Sequence, residues 1–198
     1  MIKKTAAAAL AVFLTLSVLG LTGCAQWFKD PVKDANSAIA TANGHLKKFA
    51  DSDVNVQKLA ADLSAADLSQ AGAGKALEVT QQLRTELGKQ KAELEAAKKA
   101  ILTIKTLEVK DEFKKYADLE AKAIDTRIII VGEGVNLYAE MDKMYTAIRD
   151  KKTTNAATQK ISAAIDTIMN NVAALTEQAK GESEAAAAYF KAQKLGGE

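Results

Sequence analysis

Residues 153–198 read TTNAATQKISAAIDTIMNNVAALTEQAKGESEAAAAYFKAQKLGGE. Within them Ile161, Ile165, Ile168, Val172, Leu175 and Ala179 follow at alternating steps of four and three, and Ala186 and Tyr189 extend the series. That alternation is the seam of a helix packed at a shallow angle on its neighbours, so this stretch predicts a long amphipathic helix. Thr153 or Thr154 is placed to cap its start, and Gly196-Gly197 to end it.

The same period continues toward the N-terminus. A helix over about 112–150 carries Phe113, Ala117, Ile124, Ile128, Val131, Val135, Tyr138, Met141, Tyr145 and Ile148, with Asp111 as its expected cap. Before it, Leu77, Leu83, Leu87, Leu94, Ala97, Ile101 and Ile104 mark a second helix ending near Leu107. A first helix opens at Asp30-Pro31, where aspartate caps free N–H groups and proline suits the first helical position. Its face runs through Ala35, Ile39, Ala42, Leu46 and Phe49 and resumes at Val56, Leu59 and Leu63, with Asp51-Ser52-Asp53 between as a candidate break. Gly72 and Gly74 mark the expected first turn. There is one proline, no sustained period-two alternation, and an abundance of Ala, Leu, Lys, Glu and Gln, which favour helix. The fold class is therefore all-α: an elongated antiparallel up-down-up-down four-helix bundle about 55–60 Å long. The alternative is a three-helix bundle with a broken first helix.

The start of the chain has another character. MIKKTAAAALAVFLTLSVLGLTGC gives two early lysines, an apolar stretch over Ala6–Leu19 and a small-residue boundary before the only cysteine, Cys24. The apolar stretch falls short of the ~20 residues a membrane-spanning helix needs and has the length of a signal-peptide core. Leu21-Thr22-Gly23-Cys24 resembles the lipobox of bacterial lipoproteins. The resemblance implies a cleaved signal peptide over 1–23, diacylglyceryl on the Cys24 thiol with or without acylation of the new amino group, and an extracytoplasmic, membrane-anchored product. Ala25 after the cysteine resembles lipoproteins released to the periplasmic face of an outer membrane. A lipidated linker over 24–29 would then lead into a bundle domain over 30–198. The residues between Cys24 and Asp30 reach no more than about 18 Å, so the 108–111 turn and the C-terminus are expected beside the membrane. The loops near 70–75 and 150–155 are expected at the far tip. Trp27 and Phe28 suit either the membrane interface or the end of the core.

Charge and residue inventory exclude several function classes. Without Lys3 and Lys4 the basic and acidic side chains are equal in number, which leaves no excess to hold nucleic acid. His45 is the only histidine, so a histidine-carboxylate metal centre lacks ligands, and its expected place is a surface flank. No haem-attachment motif, phosphate loop or dinucleotide-binding glycine loop occurs, and no serine nucleophile has a base to pair with. The expectation is a non-enzymatic chain with no metal and no cofactor beyond its lipid.

One segment is less bland. Ile128-Ile129-Ile130-Val131-Gly132-Glu133-Gly134-Val135 is apolar on every side of its helix, the mark of a helix buried on more than one face. Level with it should lie Ser52, Asp53 and Gln90, the last on the apolar seam of its own helix. With Arg127, Gly132, Glu133 and Gly134 they form a candidate polar or small-residue layer, able to line a ligand cavity. The alternative for the two glycines is close approach of a neighbouring side chain.

Three functions fit these features. The first is a lipid-anchored adaptor, spacer or protein-interaction module with an envelope protein as partner. The second is a ligand-binding bundle, sensor-like or carrying an apolar molecule near mid-bundle. The third is lipid binding by bundle opening.

Overall fold

The computed structural model describes residues 30–67 and 69–195. The signal-peptide and lipobox reading, Trp27, Phe28 and Gly196-Gly197 lie outside the described residues. Four long helices follow in order: α1 Pro31–Ala65, α2 Gln70–Leu102, α3 Asp111–Arg149 and α4 Asn155–Ala192, with a single 3₁₀ turn, Thr103–Thr106, after α2. No strand occurs among the described residues. The fold is an all-α antiparallel four-helix bundle, and helices of 33 to 39 residues make rods about 50–58 Å long.

The caps follow local chemistry. Asp30 Oδ1 accepts from the Val32 N–H at 2.9 Å with Pro31 behind it, Ser69 Oγ from Gly72 N–H at 3.0 Å, and Thr154 Oγ1 from Ala157 N–H at 3.2 Å. Asp111 does not cap α3 as expected. Lys110 occupies that position without a side-chain bond, and Asp111 and Glu112 instead place negative charge in the first turn, where the helix dipole favours it.

Two expected interruptions are absent. α1 runs unbroken through 51–53. Ser52 Oγ donates to the Phe49 carbonyl at 2.8 Å, and Asp53 receives bonds from Gln57 and Gln90, so the polar run is satisfied without leaving the helix. That removes the three-helix alternative with a broken first helix. Likewise Gly72 and Gly74 sit inside α2, and the turn is 66–69. Gly72 is needed by that turn: an added Cβ would stand 2.1 Å from Asp67 Oδ1 and 2.4 Å from the Asp67 carbonyl oxygen.

Cross-helix bonds fix the register. Arg84–Asp142, Lys98–Asp125 and, from the 3₁₀ turn, Lys105–Asp118 climb α2 and its end while descending α3. Gln70 Nε2 donates to the Arg149 carbonyl at 2.7 Å, which brings the 66–69 and 150–154 turns to one end of the bundle. Close helix packing runs α1 on α2, α2 on α3 and α3 on α4, and α1 and α4 share no comparable packing.

The core follows from that order. Leu83, Leu87, Leu94 and Ile101 of α2 are fully enclosed, with Val56 of α1 and Ile124 and Val131 of α3. α3 is buried on two faces, as its apolar run predicts: Ile124 and Val131 join the main core, while Ile130 forms a separate small cluster with Val172 and Ala179 of α4. Sixteen of the 39 residues of α3 are buried, against three of 38 in α4.

α3 and α4 both end in a Schellman turn. The Lys152 N–H reaches the Ala147 carbonyl and the Lys151 N–H that of Ile148; Leu195 and Lys194 do the same to Phe190 and Lys191. Lys151 (φ 55°) and Lys194 (φ 51°) take the left-handed position usually given to glycine. α4 thus stops before Gly196, and Leu195 tucks into the core behind it.

Candidate functional site

The candidate layer resolves into three separate places. The first lies between α1 and α2. Gln90, only 1 % exposed, donates from Nε2 to Asp53 Oδ1 at 3.3 Å, and Gln57 donates to Asp53 Oδ2 at 3.3 Å. The predicted level of Asp53 and Gln90 is therefore correct. Burial pushes the Asp53 carboxyl above its usual range, and the two amide bonds only partly offset this. Gln90 Oε1 is buried without a partner. Ser52 turns back on its own helix and takes no part.

Arg127 belongs to the second place, on the α4 side of α3. It is 7 % exposed, donates from its guanidinium to Ser183 Oγ at 2.8 Å, and leaves Nε without a partner. Burial depresses its pKa and the Glu120 charge counters this; burial also raises Glu120, with Arg127 drawing it back. Next to them Thr126 Oγ1 donates to Glu182 Oε2 at 2.6 Å, Gln178 donates to Glu182 Oε1 at 2.9 Å, and Lys122 lies 3.4 Å from that oxygen. Burial pushes Glu182 upward, but the bonds from Thr126, Gln178 and Lys122 together hold it below its usual range. This network ties α4 to α3.

Gly132 and Glu133 lie in the third place, an open groove of about 1100 Å³ along the outer face of α2 and α3. Leu77, Gly88, Ile128, Ile129, Gly132 and Val135 line it with apolar surface, and Arg84, Lys91, Arg149 and Asp142 with charge. The antiparallel register sets Gly88 and Gly132 at one level. A Cβ on either would meet nothing within 4 Å, so Gly132 does not admit a neighbour as the close-approach alternative expected; it leaves the groove open. Ile129 is 51 % exposed, so the apolar run is not enclosed on every side. Gly134 is buried within α3, apart from the groove lining.

Three polar pairings escaped the sequence reading. Thr80 donates to Asp142, which also pairs with Arg84 at 3.0 Å. His45 Nδ1 meets Glu93 Oε2 at 2.7 Å, so it is a half-buried link between α1 and α2 rather than a free surface flank. The third is the Thr126–Glu182 network. Thr80 was findable, because it sits on the α2 seam between Ala76 and Leu83 just as Gln90 does. The others need the register.

Among the described residues no cluster of His, Cys, Asp or Glu could hold a metal ion, and no helix is long and apolar enough to cross a membrane. No protein-family model, curated protein or solved structure matches the chain.

Proposed function

We propose that this chain is a lipid-anchored envelope protein that acts without catalysis, as a rigid spacer or adaptor holding a protein-binding surface away from a bacterial membrane. The observation that carries the reading is geometric. Helix begins at Asp30-Pro31, six residues after Cys24, and the 66–69 and 150–154 turns meet at the opposite end of a 35-residue rod. A lipid on Cys24 would thus hold one end of the bundle at the membrane surface and leave the other about 50 Å out. Two or more acyl chains give a durable anchor, since each buried methylene contributes about 0.8 kcal/mol. The α2–α3 groove supports the adaptor form of the reading: it is open and lined by both apolar and charged side chains, which suits a segment of a partner protein.

Metabolic labelling with radioactive palmitate tests the anchor. The full chain expressed in a bacterium should incorporate label and fractionate with membranes, and Cys24→Ser should lose both. Label retained by Cys24→Ser, or none in the parent, overturns the proposal.

The groove volume also favours a second reading, a ligand-binding bundle, because about 1100 Å³ exceeds what a small molecule needs. Its openness separates the two: a small apolar ligand requires enclosure, so an apolar dye should gain no saturable fluorescence on the folded chain if the adaptor reading holds.

A further inference from the structure

α4 is held unevenly along its length. Every side-chain bond, ion pair and ring contact from it to α3 falls between Gln178 and Phe190: Thr126–Glu182, Arg127–Ser183, Lys122–Glu182, and the Tyr116 and Phe190 rings with centroids 4.9 Å apart. Ala179 and Ala186 are buried in the same half, and Leu195 in the turn that follows it. The other half differs. No residue of 155–171 is buried; Ile161, Ile165, Ile168 and Met169 are only partly covered. The side-chain bonds made there, by Thr158 and Thr167, stay within α4 and its cap residue Thr154. α1 does not reach across to cover this half, since the close packing of α4 is on α3 alone.

We propose that residues 155–171 form a locally opening arm, bounded by the 150–154 turn and Val172, while 172–195 remains clamped to α3. Segments with few buried apolar contacts and exposed backbone bonds open at lower free energy than the core they leave. The antiparallel register sets the arm level with the stretch of α3 that bears Met141 and Met144. Met141 and Met144 are buried in the core at that level and Met169 is half-covered on the arm itself, and unbranched thioethers repack readily around a moving neighbour. The inference concerns the bundle alone and stands whether or not Cys24 is lipidated.

Hydrogen–deuterium exchange of the full chain, read by mass spectrometry, is the test. Amides of 158–171 should exchange at least about tenfold faster than those of 179–192, and both faster than 83–101 of α2. A difference below tenfold between the two halves of α4 overturns the proposal. Limited trypsin digestion is the second reading, since Lys160 and Lys180 are both exposed. Cleavage after Lys160 should precede cleavage after Lys180; the reverse order overturns it as well.

Discussion

α3 has two packed faces, and they are made differently. Toward α1 and α2 it meets fully enclosed aliphatic side chains in one continuous core. Toward α4 it meets a small cluster of Ile130, Val172 and Ala179, a buried Arg127 and the Thr126–Glu182 network. Of the main core α4 adds only Ala186 as a buried residue, with Ile161, Ile165 and Ile168 half-covered against it. The first face is held by area removed from water, which is large and non-directional. The second combines half-covered apolar contact with specific bonds, and the bonds give register but little net stability, about 1 kcal/mol each. The difference explains how α4 can be aligned accurately on α3 and still be its least secured helix.

The contrast can be broken most directly by truncation on each side. Leu87→Ala should cost about 3 kcal/mol in urea unfolding, because a fully enclosed leucine leaves a cavity. Ile165→Ala should cost less than about 1 kcal/mol, because the half-covered site can refill with water. Equal losses would mean that the two faces are alike. Next in size, Thr126→Val should cost about 1 kcal/mol and show its main effect as faster exchange over 178–190. Lys151→Gly should instead stabilise by up to about 1 kcal/mol in urea unfolding, by relieving the left-handed strain in the cap of α3.

The smallest effects are pH signatures of opposite sign. Glu182 sits below its ordinary pKa, so its contribution is present above the unfolded value and is lost as pH falls through the folded one. Asp53 is raised, so its contribution is present below the unfolded value and is lost as pH rises through the folded one. Melting temperatures across pH 3–7 should therefore show Glu182→Gln flattening the acid-side loss of stability. Asp53→Asn should remove a decline on the rising side. The same sign for both would contradict the assignments.

The helices were legible in the sequence because period and caps are local properties. Asp30-Pro31 and Thr154 act as their residue types dictate, and the level of Asp53 with Gln90 followed from counting along helices of known rise. What was not legible is how much each seam buries. The most regular heptad series, Ile161 to Tyr189, belongs to the helix with the fewest buried residues. A seam spacing states which face turns inward, while burial depends on how many neighbours arrive, and α4 receives only α3. The scatter of the candidate layer has the same origin. Arg127 and Gly132 are close in sequence, but five residues turn a helix by more than a quarter circle, so one faces α4 and the other the groove on α2. The break at 51–53 failed because Ser52 and Asp53 found bonds on or across the helix, which a polar run alone does not reveal.

We propose that this bundle stands on a lipid-anchored end. Single cysteines at Lys110 and Lys152 can test it, because acylation would leave Cys24 without a free thiol. Each variant, lipid-anchored in vesicles, would carry a fluorophore and be exposed to quenchers fixed in the bilayer. Strong quenching is expected from position 110 and none from 152, since the 39 residues of α3 between them set the two about 58 Å apart. Equal quenching at the two positions, or stronger quenching at 152, would contradict it.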